Sequence, residues 1–474
     1  MCKVKSILIV LFITNHFNHA TTENYEEQFP DEKEKESINN FIAWETKSFL
    51  EKLNEKRKKD KKEAITIEQI RNDLEVTEEN EILIDILNNF STTLQNQNEN
   101  RRNEIEYIEI DKKKYCNKIT IEAKKGIMFA SDTHADAKMV EKIFYFFDQL
   151  KHKNEVDKLV FLGDYGDRGG FWTYTYFLLA AMAEKYGEDI LFIRGNHEDS
   201  LIMLTQGGGV VYDAINKKNT QNLWNEMPLI YDITWNQKKI FCSHGAMPIN
   251  QNGEWLTYEK TNELSQEPIF LANWNENIFT EDPKQGIKTS KRGSGYEIPI
   301  KKIFENMINK EYDWSIHGHV HEKQCGILKN KNKRVVTVVT NEYYYNNYKL
   351  FLPAVYIINN ENKNGTFFNL LQKQNERIKG YYKEYPTNGK VLNNCVIYEY
   401  DFGLQKTNEK INEFDKENQT NKKEQKEEII NQENQTNEEE QNNKIINQDN
   451  INEEKKIDCN ILKKIYCCCD ICEK

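Results

Sequence analysis

Five short apolar runs, each followed at once by a cluster of polar residues, constrain the fold of this chain more than any other feature. Helical patterns such as Met139–Leu150 and Phe171–Tyr186 lie between the runs, so the sequence predicts an α/β fold. Ligands in such folds bind beyond the carboxyl ends of the strands. We therefore expect the polar clusters to converge on one site. They are Ser131–His134, Gly163–Gly169, Arg194–Glu198, Ser243–Gly245 and His317–His321.

The residue types in these clusters favour a pair of divalent metal ions. Carboxylate, amide and imidazole donors suit manganese, iron or zinc. Two such ions, about 3.5–4 Å apart, can activate water and neutralise charge on a phosphoryl group. Any one cluster alone also fits a polar surface loop. However, six of the nine histidines lie in the five clusters, which argues against a chance gathering.

The motifs, taken in order, resemble those of the phosphoprotein phosphatase family, within the calcineurin-like metallophosphoesterases. That family's pattern is GDxHG, GDxxDRG, GNHE, HGG and GH, and the likeness extends to Trp224–Leu229 and Arg292–Tyr296. It covers the chain from about Ile119 to Tyr400. The resemblance implies a sandwich of two mixed β-sheets flanked by helices. The first motif departs from the pattern, because Ser131–Ala135 lacks both family glycines.

Carried over residue by residue, the resemblance implies two divalent ions, with manganese expected and iron or zinc as alternatives. Asp164 would bridge the two ions. The other ligands would be Asp132 and His134 on the first ion, joined by His321 through the Gly-His-x-His pattern of the wider superfamily, and Asn196, His244 and His319 on the second.

The resemblance also implies roles in catalysis and in phosphate binding. His197 would be the general acid that protonates the leaving oxygen, and Asp167 would orient it. Arg168 and Arg292 would bind phosphate oxygens through their planar guanidinium groups. Tyr344, in a segment that departs from the family's Ser-Ala-Pro-Asn-Tyr, is a further candidate for phosphate contact.

These roles predict a serine/threonine protein phosphatase that hydrolyses phosphate monoesters on a phosphoprotein. One alternative keeps the fold but cleaves phosphodiesters or dinucleoside polyphosphates. The motifs that contain Arg168 and Arg292 favour monoesters, because both suit a dianionic phosphate. A second alternative is a secreted binding protein without catalysis, and the complete set of metal ligands argues against it.

Composition divides the chain into four parts. Residues 1–20 are predicted to be a signal peptide, because two lysines precede an apolar run that is too short to span a membrane. Residues 21–115 are predicted to form a helical, Lys/Glu-rich extension, and residues 116–403 the catalytic domain. Residues 404–474 are expected to be a disordered, low-complexity tail with a cysteine-rich end, since they contain too few apolar residues for a core.

The same features predict location and partners. A signal peptide indicates the secretory pathway or secretion, with the cytoplasm as the alternative, and no transmembrane span is predicted. A net charge of −11 disfavours nucleic acid as a partner. The expected partner is a phosphoprotein substrate, and the sequence identifies no regulatory partner.

Overall fold

The computed structural model describes residues 32–73, 80–110, 113–166, 168–198, 220–255, 275–278, 286–291, 295–320, 326–341, 353–361, 363–370, 390–392 and 395–399. The predicted signal peptide and tail lie outside these ranges. Within them, no helix is both long enough and apolar enough to cross a membrane.

The helices among the described residues are α1 (Glu32–Glu45), α2 (Lys47–Lys59), α3 (Ile67–Asn72), α4 (Glu81–Asn100), α5 (Ala137–His152), α6 (Trp172–Tyr186), α7 (Thr220–Glu226) and α8 (Ile300–Asn309). The strands are β1 (Ile105–Ile110), β2 (Lys113–Ala123), β3 (Gly126–Ala130), β4 (Lys158–Phe161), β5 (Ile190–Phe192), β6 (Ile230–Trp235), β7 (Lys238–Ser243), β8 (Glu276–Ile278), β9 (Lys288–Thr289), β10 (Tyr296–Pro299), β11 (Trp314–His317), β12 (Gly326–Asn330), β13 (Lys333–Thr337), β14 (Ala354–Asn359), β15 (Thr366–Asn369), β16 (Lys390–Leu392) and β17 (Cys395–Glu399).

Two mixed sheets form the centre of the fold. Over the described residues, one sheet has the order β15-β14-β3-β4-β5 and the other β1-β2-β6-β7-β11-β13-β12-β17-β16. Strands β3, β4 and β5 run parallel, and β7, β11 and β13 do so in the second sheet. The predicted α/β sandwich of two mixed sheets flanked by helices is confirmed.

Alternate side chains of the strands build the layers, because successive residues of a strand point to opposite faces. In β3, Ile127 and Phe129 belong to the apolar core that includes residues of both sheets. Met128 and Ala130 belong instead to the core shared with the helices. A third apolar cluster, which includes Phe304 of α8, covers the outer face of the nine-stranded sheet.

The N-terminal helices are part of the same core as the five-stranded sheet and helix α6. Phe90 of α4 meets Phe192 of β5 edge to face, with ring centroids 5.0 Å apart. Phe49 of α2 makes a similar contact with Phe177 of α6 at 5.5 Å. In addition, β1 pairs with β2, which begins at Lys113, so the division predicted at residue 115 falls inside the nine-stranded sheet.

The apolar spacing of Ile38–Leu53 predicts one helix, and the structure has two. Helix α1 ends at Glu45 and α2 begins at Lys47. Between them, the Thr46 hydroxyl donates a hydrogen bond to the carbonyl oxygen of Ile42 at 2.8 Å. A threonine hydroxyl that bonds back to the preceding turn often bends a helix, which accounts for the interruption.

Phe90→Ala should destabilise the whole protein, because Phe90 is fully buried at the contact between α4 and β5. Removing a buried phenyl ring costs about 3–5 kcal/mol. Thermal unfolding followed by circular dichroism measures the effect. Trp44→Ala is the matched control, since Trp44 is 74% exposed, and it should leave the melting temperature nearly unchanged. Equal melting temperatures for both variants would mean that α4 is not part of the shared core.

Candidate metal centre

The predicted polar clusters meet at the carboxyl edge of the two sheets. Asp132 and His134 follow β3, Asp164 follows β4, and the others follow β5, β7 and β11. The side chains that converge are each at most 2% exposed: Asp132, His134, Asp164, Asn196, His197, His244 and His319.

The carboxylate of Asp164 lies at the centre of this group. Its Oδ1 atom is 3.2 Å from His244 Nε2, while its Oδ2 atom is 3.6 Å from His134 Nε2 and 3.8 Å from His197 Nε2. Oδ2 is buried and has no hydrogen-bond partner. This buried carboxylate oxygen faces imidazole nitrogens but accepts no hydrogen bond. Such an oxygen is suited to bind a cation.

Two histidines are held by backbone carbonyls in the orientation that a metal ligand needs. His244 Nδ1 lies 2.7 Å from the Leu162 carbonyl oxygen, and His134 Nδ1 lies 3.2 Å from that of Gly166. A carbonyl can only accept, so each Nδ1 carries the proton and donates it. Each Nε2 therefore faces Asp164 and can bind a metal ion once it has lost its proton, and the outer hydrogen bond at Nδ1 is of the kind that fixes a ligating histidine.

Asn196, His244 and His319 form one group of potential metal ligands next to Asp164. Asn196 Oδ1 is 2.8 Å from His244 Nε2 and 3.0 Å from His319 Nδ1. The backbone N–H of His319 donates to Asp132 Oδ2 at 3.0 Å. Potential ligand atoms of Asp164, His244 and His319 lie within 4.8 Å of one another.

A further group of potential metal ligands consists of His134, Asp164 and His197, whose candidate ligand atoms also lie within 4.8 Å of one another. Asp164 is the residue that the two groups share, which is the arrangement expected of a bridging carboxylate. His197, for which the resemblance implies the role of a general acid, therefore lies beside His134 and Asp164, the expected ligands of the first ion.

The titration of the site follows from its buried charges. Burial by itself would raise the pKa of Asp164, but the nearby histidines, His244 first among them, outweigh burial and hold that pKa well below its ordinary value. Conversely, burial would lower the pKa of His244, yet the carboxylate of Asp164 and its neighbours raise it to about 9. Both pKa shifts are in the direction expected when a carboxylate and a positively charged imidazole stabilise each other.

Glu198 is a positioning residue to which the sequence analysis gave no role. Its carboxylate accepts hydrogen bonds from the backbone N–H groups of Asp164, Tyr165 and Gly195, at 2.8–2.9 Å. It thereby joins the loop after β4 to the loop after β5. Burial and the charge of Asp164 raise the pKa of Glu198 to about 7. The only signal in the sequence was its place at the end of the Gly-Asn-His-Glu cluster.

The ligand loops are strained. Several of their non-glycine residues have positive φ, a conformation that costs an L-residue roughly 1–2 kcal/mol. Ala135, which occupies the position of a family glycine, is one of them. The φ angles are 51° for Asp132, 45° for His134, 57° for Ala135, 58° for Asp164, 65° for Arg168 and 66° for His319.

Glycines permit the loops to approach one another closely. A Cβ atom on Gly318 would lie 1.9 Å from Ser131 Oγ and 2.2 Å from Asp132 Oδ2. A Cβ atom on Gly195 would lie 2.3 Å from Asp164 Oδ1. Both positions therefore need glycine for lack of space.

Arg168, one of the residues predicted to bind phosphate, lies beside the potential metal ligands. Its Nη2 atom is 3.1 Å from His197 Nε2, and a guanidinium can only donate, so His197 Nε2 accepts this bond. The other predicted site residues lie outside the described residues: Asp167, Arg292, Tyr344 and His321.

His317 belongs to the last polar cluster, directly before Gly318 and His319, but it is not among the expected metal ligands. The ring is buried, and Nε2 lies 3.0 Å from the hydroxyl of Thr337. Burial and the positive charge of His244 lower the pKa of His317 to about 3. His317 is therefore a neutral side chain that packs behind the ligand loop.

Residues 126–323 match the family model described as Calcineurin-like phosphoesterase. Together with the mixed sandwich and the buried donors, this match identifies a calcineurin-like metallophosphoesterase domain in the central part of the chain. Phosphoesterases of this family are hydrolases that typically use two divalent metals.

Three solved structures are similar to parts of this chain. A serine/threonine protein phosphatase from Saccharomyces cerevisiae is 15% identical, with 62% of this chain and 92% of that chain covered and a TM-score of 0.42. A cold-active protein-tyrosine phosphatase from a psychrophilic Shewanella species is 16% identical, with 51% and 77% covered and a TM-score of 0.34. A phosphoesterase from E. coli is 12% identical, with 50% and 88% covered and a TM-score of 0.25.

Gly318→Ala should disrupt the centre, because the new methyl group would overlap Ser131 and Asp132. Displacing catalytic groups by about 1 Å can cost about 10²-fold in rate, and we expect a loss of this order together with a lower metal content. Gly286→Ala is the control, since nothing lies within 4 Å of a Cβ atom there. Phosphatase assays and elemental analysis of both purified variants test this. Full activity in Gly318→Ala would contradict the packing described above.

Proposed function

We propose that the protein is a metal-dependent phosphoprotein phosphatase that hydrolyses phosphoserine and phosphothreonine monoesters. The observation that carries the proposal is the convergence of carboxylate, amide and imidazole donors on Asp164, with Arg168 beside them. The domain match supports phosphoester hydrolysis in general. The choice of serine and threonine rests on the motifs that resemble the phosphoprotein phosphatases.

The donor set fits two divalent ions. Asp132, His134 and Asp164 would hold one, and Asp164 would share the other with Asn196, His244 and His319. When bound, the ions would supply a nucleophilic water and neutralise charge on the phosphoryl group. The Oδ2 atom of Asp164, buried and without a hydrogen-bond donor, supports this fit.

The chain's own residues would hold the phosphate and move the proton. Arg168 would donate to phosphate oxygens, a role that its fork of N–H groups suits. Its Nη2 atom now donates to His197 Nε2 at 3.1 Å, and a bound phosphate would compete for it. Once released from this bond, His197 Nε2 could carry the proton that the leaving alkoxide needs.

The runner-up activity is cleavage of phosphodiesters or dinucleoside polyphosphates on the same fold. A monoester dianion and a diester monoanion differ by one negative charge, so a guanidinium aimed at the phosphate favours the monoester. Arg168 in the Asp-Arg-Gly motif is the observation that puts the monoester first.

An assay of full-length protein with Mn²⁺ tests the proposal. The substrates are a phosphoserine peptide, the same peptide with phosphotyrosine, and bis(nitrophenyl) phosphate as a diester. We expect the highest kcat/KM for the phosphoserine peptide. Faster hydrolysis of the diester would favour the runner-up. Stoichiometric metal without turnover of any substrate would favour a binding protein.

His197→Asn should keep the metal ions but lower turnover of the phosphoserine peptide by about 10²–10⁴-fold, the usual effect of losing a general acid. The loss should be much smaller for nitrophenyl phosphate, because nitrophenolate leaves without a proton. His152→Asn is the control, since the His152 side chain is 75% exposed. An equal loss on both substrates would mean that His197 acts in another way, for example as a ligand.

A further inference from the structure

A cavity of about 350 Å³ lies between the N-terminal helices α1 and α3 and the beginnings of helices α5 and α6. Its walls come from α1 and α3 on one side and from the first turns of α5 and the beginning of α6 on the other. This volume falls within the range of about 300–1,000 Å³ that is usual for small-molecule sites. None of the residues that line it belongs to the metal centre described above.

The charge of the lining is positive. Lys35, Arg71, Lys138 and Lys142 contribute four cations, and Glu141 is the one carboxylate among the lining residues. The whole chain carries a net charge of −11, so a group of cations here opposes the general trend. A cavity of this kind attracts an anion through local contacts and not through the field of the whole protein.

The single carboxylate of the lining is already engaged. Glu141 Oε1 accepts a hydrogen bond from the Tyr174 hydroxyl, and Arg71 Nη2 donates to it at 3.1 Å. Glu141 therefore balances Arg71 within the wall. Lys142 Nζ donates to the carbonyl oxygen of Leu370 at 2.9 Å, which fixes this lysine at the wall of the cavity.

The other walls suit the body of an organic ligand. Phe171 and Tyr174 supply aromatic surface, and Ile38 supplies aliphatic surface. The side-chain amides of Asn39 and Asn72 add polar groups to the wall, and Asn39 Oδ1 accepts a hydrogen bond from Arg71 Nη2 at 3.5 Å. A few polar groups set into an apolar lining are typical of sites that bind small molecules.

The cavity lies beside the loops that carry the metal ligands. Helix α5 begins at Ala137, directly after the loop with Asp132 and His134, so its positive N-terminal end borders the cavity. Asp136 offsets part of this effect, because its carboxylate caps the helix by accepting from the N–H of Met139. The cavity thus lies near the carboxyl ends of the strands, where ligands commonly bind in α/β folds.

We propose that this cavity binds a small organic anion, a phosphate-type group attached to an apolar body. The lysines contact the anionic group, and the aromatic wall contacts the body. The site is separate from the metal centre, and the proposal does not depend on which phosphoester the enzyme hydrolyses.

Isothermal titration calorimetry of the full-length protein with phenylphosphonate tests this proposal. Phenylphosphonate has an aryl group and an anionic head that hydrolysis cannot remove. The titration is done first with Mn²⁺ and then with excess EDTA, which abolishes binding that depends on metal. We expect one site per chain to persist in EDTA and to weaken as salt increases.

The double variant Lys35→Gln with Lys138→Gln should weaken the persisting site by at least about tenfold, since each lost contact is a hydrogen bond from a charged donor. Lys56→Gln with Lys58→Gln makes the same change of charge on the exposed surface of α2 and should keep wild-type affinity. The single variant Lys35→Gln, on an exposed lysine, repeats the test with less risk to folding. Absence of binding in EDTA, or equal affinity in folded cavity variants and control, would overturn the proposal.

Discussion

A fully buried carboxylate is stable only when its neighbours replace the hydration that it has lost, and Asp164 depends on its neighbours in this way. The histidines around Asp164 hold its pKa low and so keep it ionised. The backbone N–H of His197 donates a hydrogen bond to Asp164 Oδ1 at 3.0 Å. One oxygen, Oδ2, still lacks a hydrogen-bond donor. A divalent cation would supply a positive partner for this oxygen, and so Asp164 is the residue on which the proposed metal pair depends.

Bringing so many donors to one carboxylate requires loops that an unconstrained chain would not adopt. The positive φ angles of Asp132, His134 and Asp164 are strained, and the close approach at Gly195 and Gly318 excludes any side chain there. Backbone strain persists only where the surrounding structure over-determines it. Here the carboxylate of Glu198 joins two loops, and the helical layer, including the N-terminal helices, packs behind them.

The sequence contained most of the information on the site because its motifs are local. A strand end followed by Asp-Thr-His134 or by Gly-Asn-His197 can be recognised without knowledge of the fold, and the structure brings these residues together. The strands that lead into the five clusters, β3, β4, β5, β7 and β11, could be recognised from sequence because they are short, continuous apolar runs, whereas the other strands of the two central sheets were not predicted.

Features that depend on tertiary contact could not be predicted in this way. Nothing local shows that Phe90 of the extension packs on Phe192, or that Glu198 accepts hydrogen bonds from the distant N–H groups of Asp164 and Tyr165. The interruption at Thr46 depends on one side-chain hydrogen bond, which apolar periodicity does not report. The cavity between α1, α3 and α5 exists only because separate segments meet, so no motif marks it.

The central claim is that Asp164 bridges two divalent ions, and metal stoichiometry tests it most directly. Full-length protein and Asp164→Asn are equilibrated with Mn²⁺, freed of unbound metal and measured by elemental mass spectrometry. We expect about two ions per chain in the wild type and a loss of metal from both positions in the variant, because one carboxylate serves both. A wild type that binds a single ion, or an Asp164→Asn variant that keeps its full complement, would contradict a bridged pair.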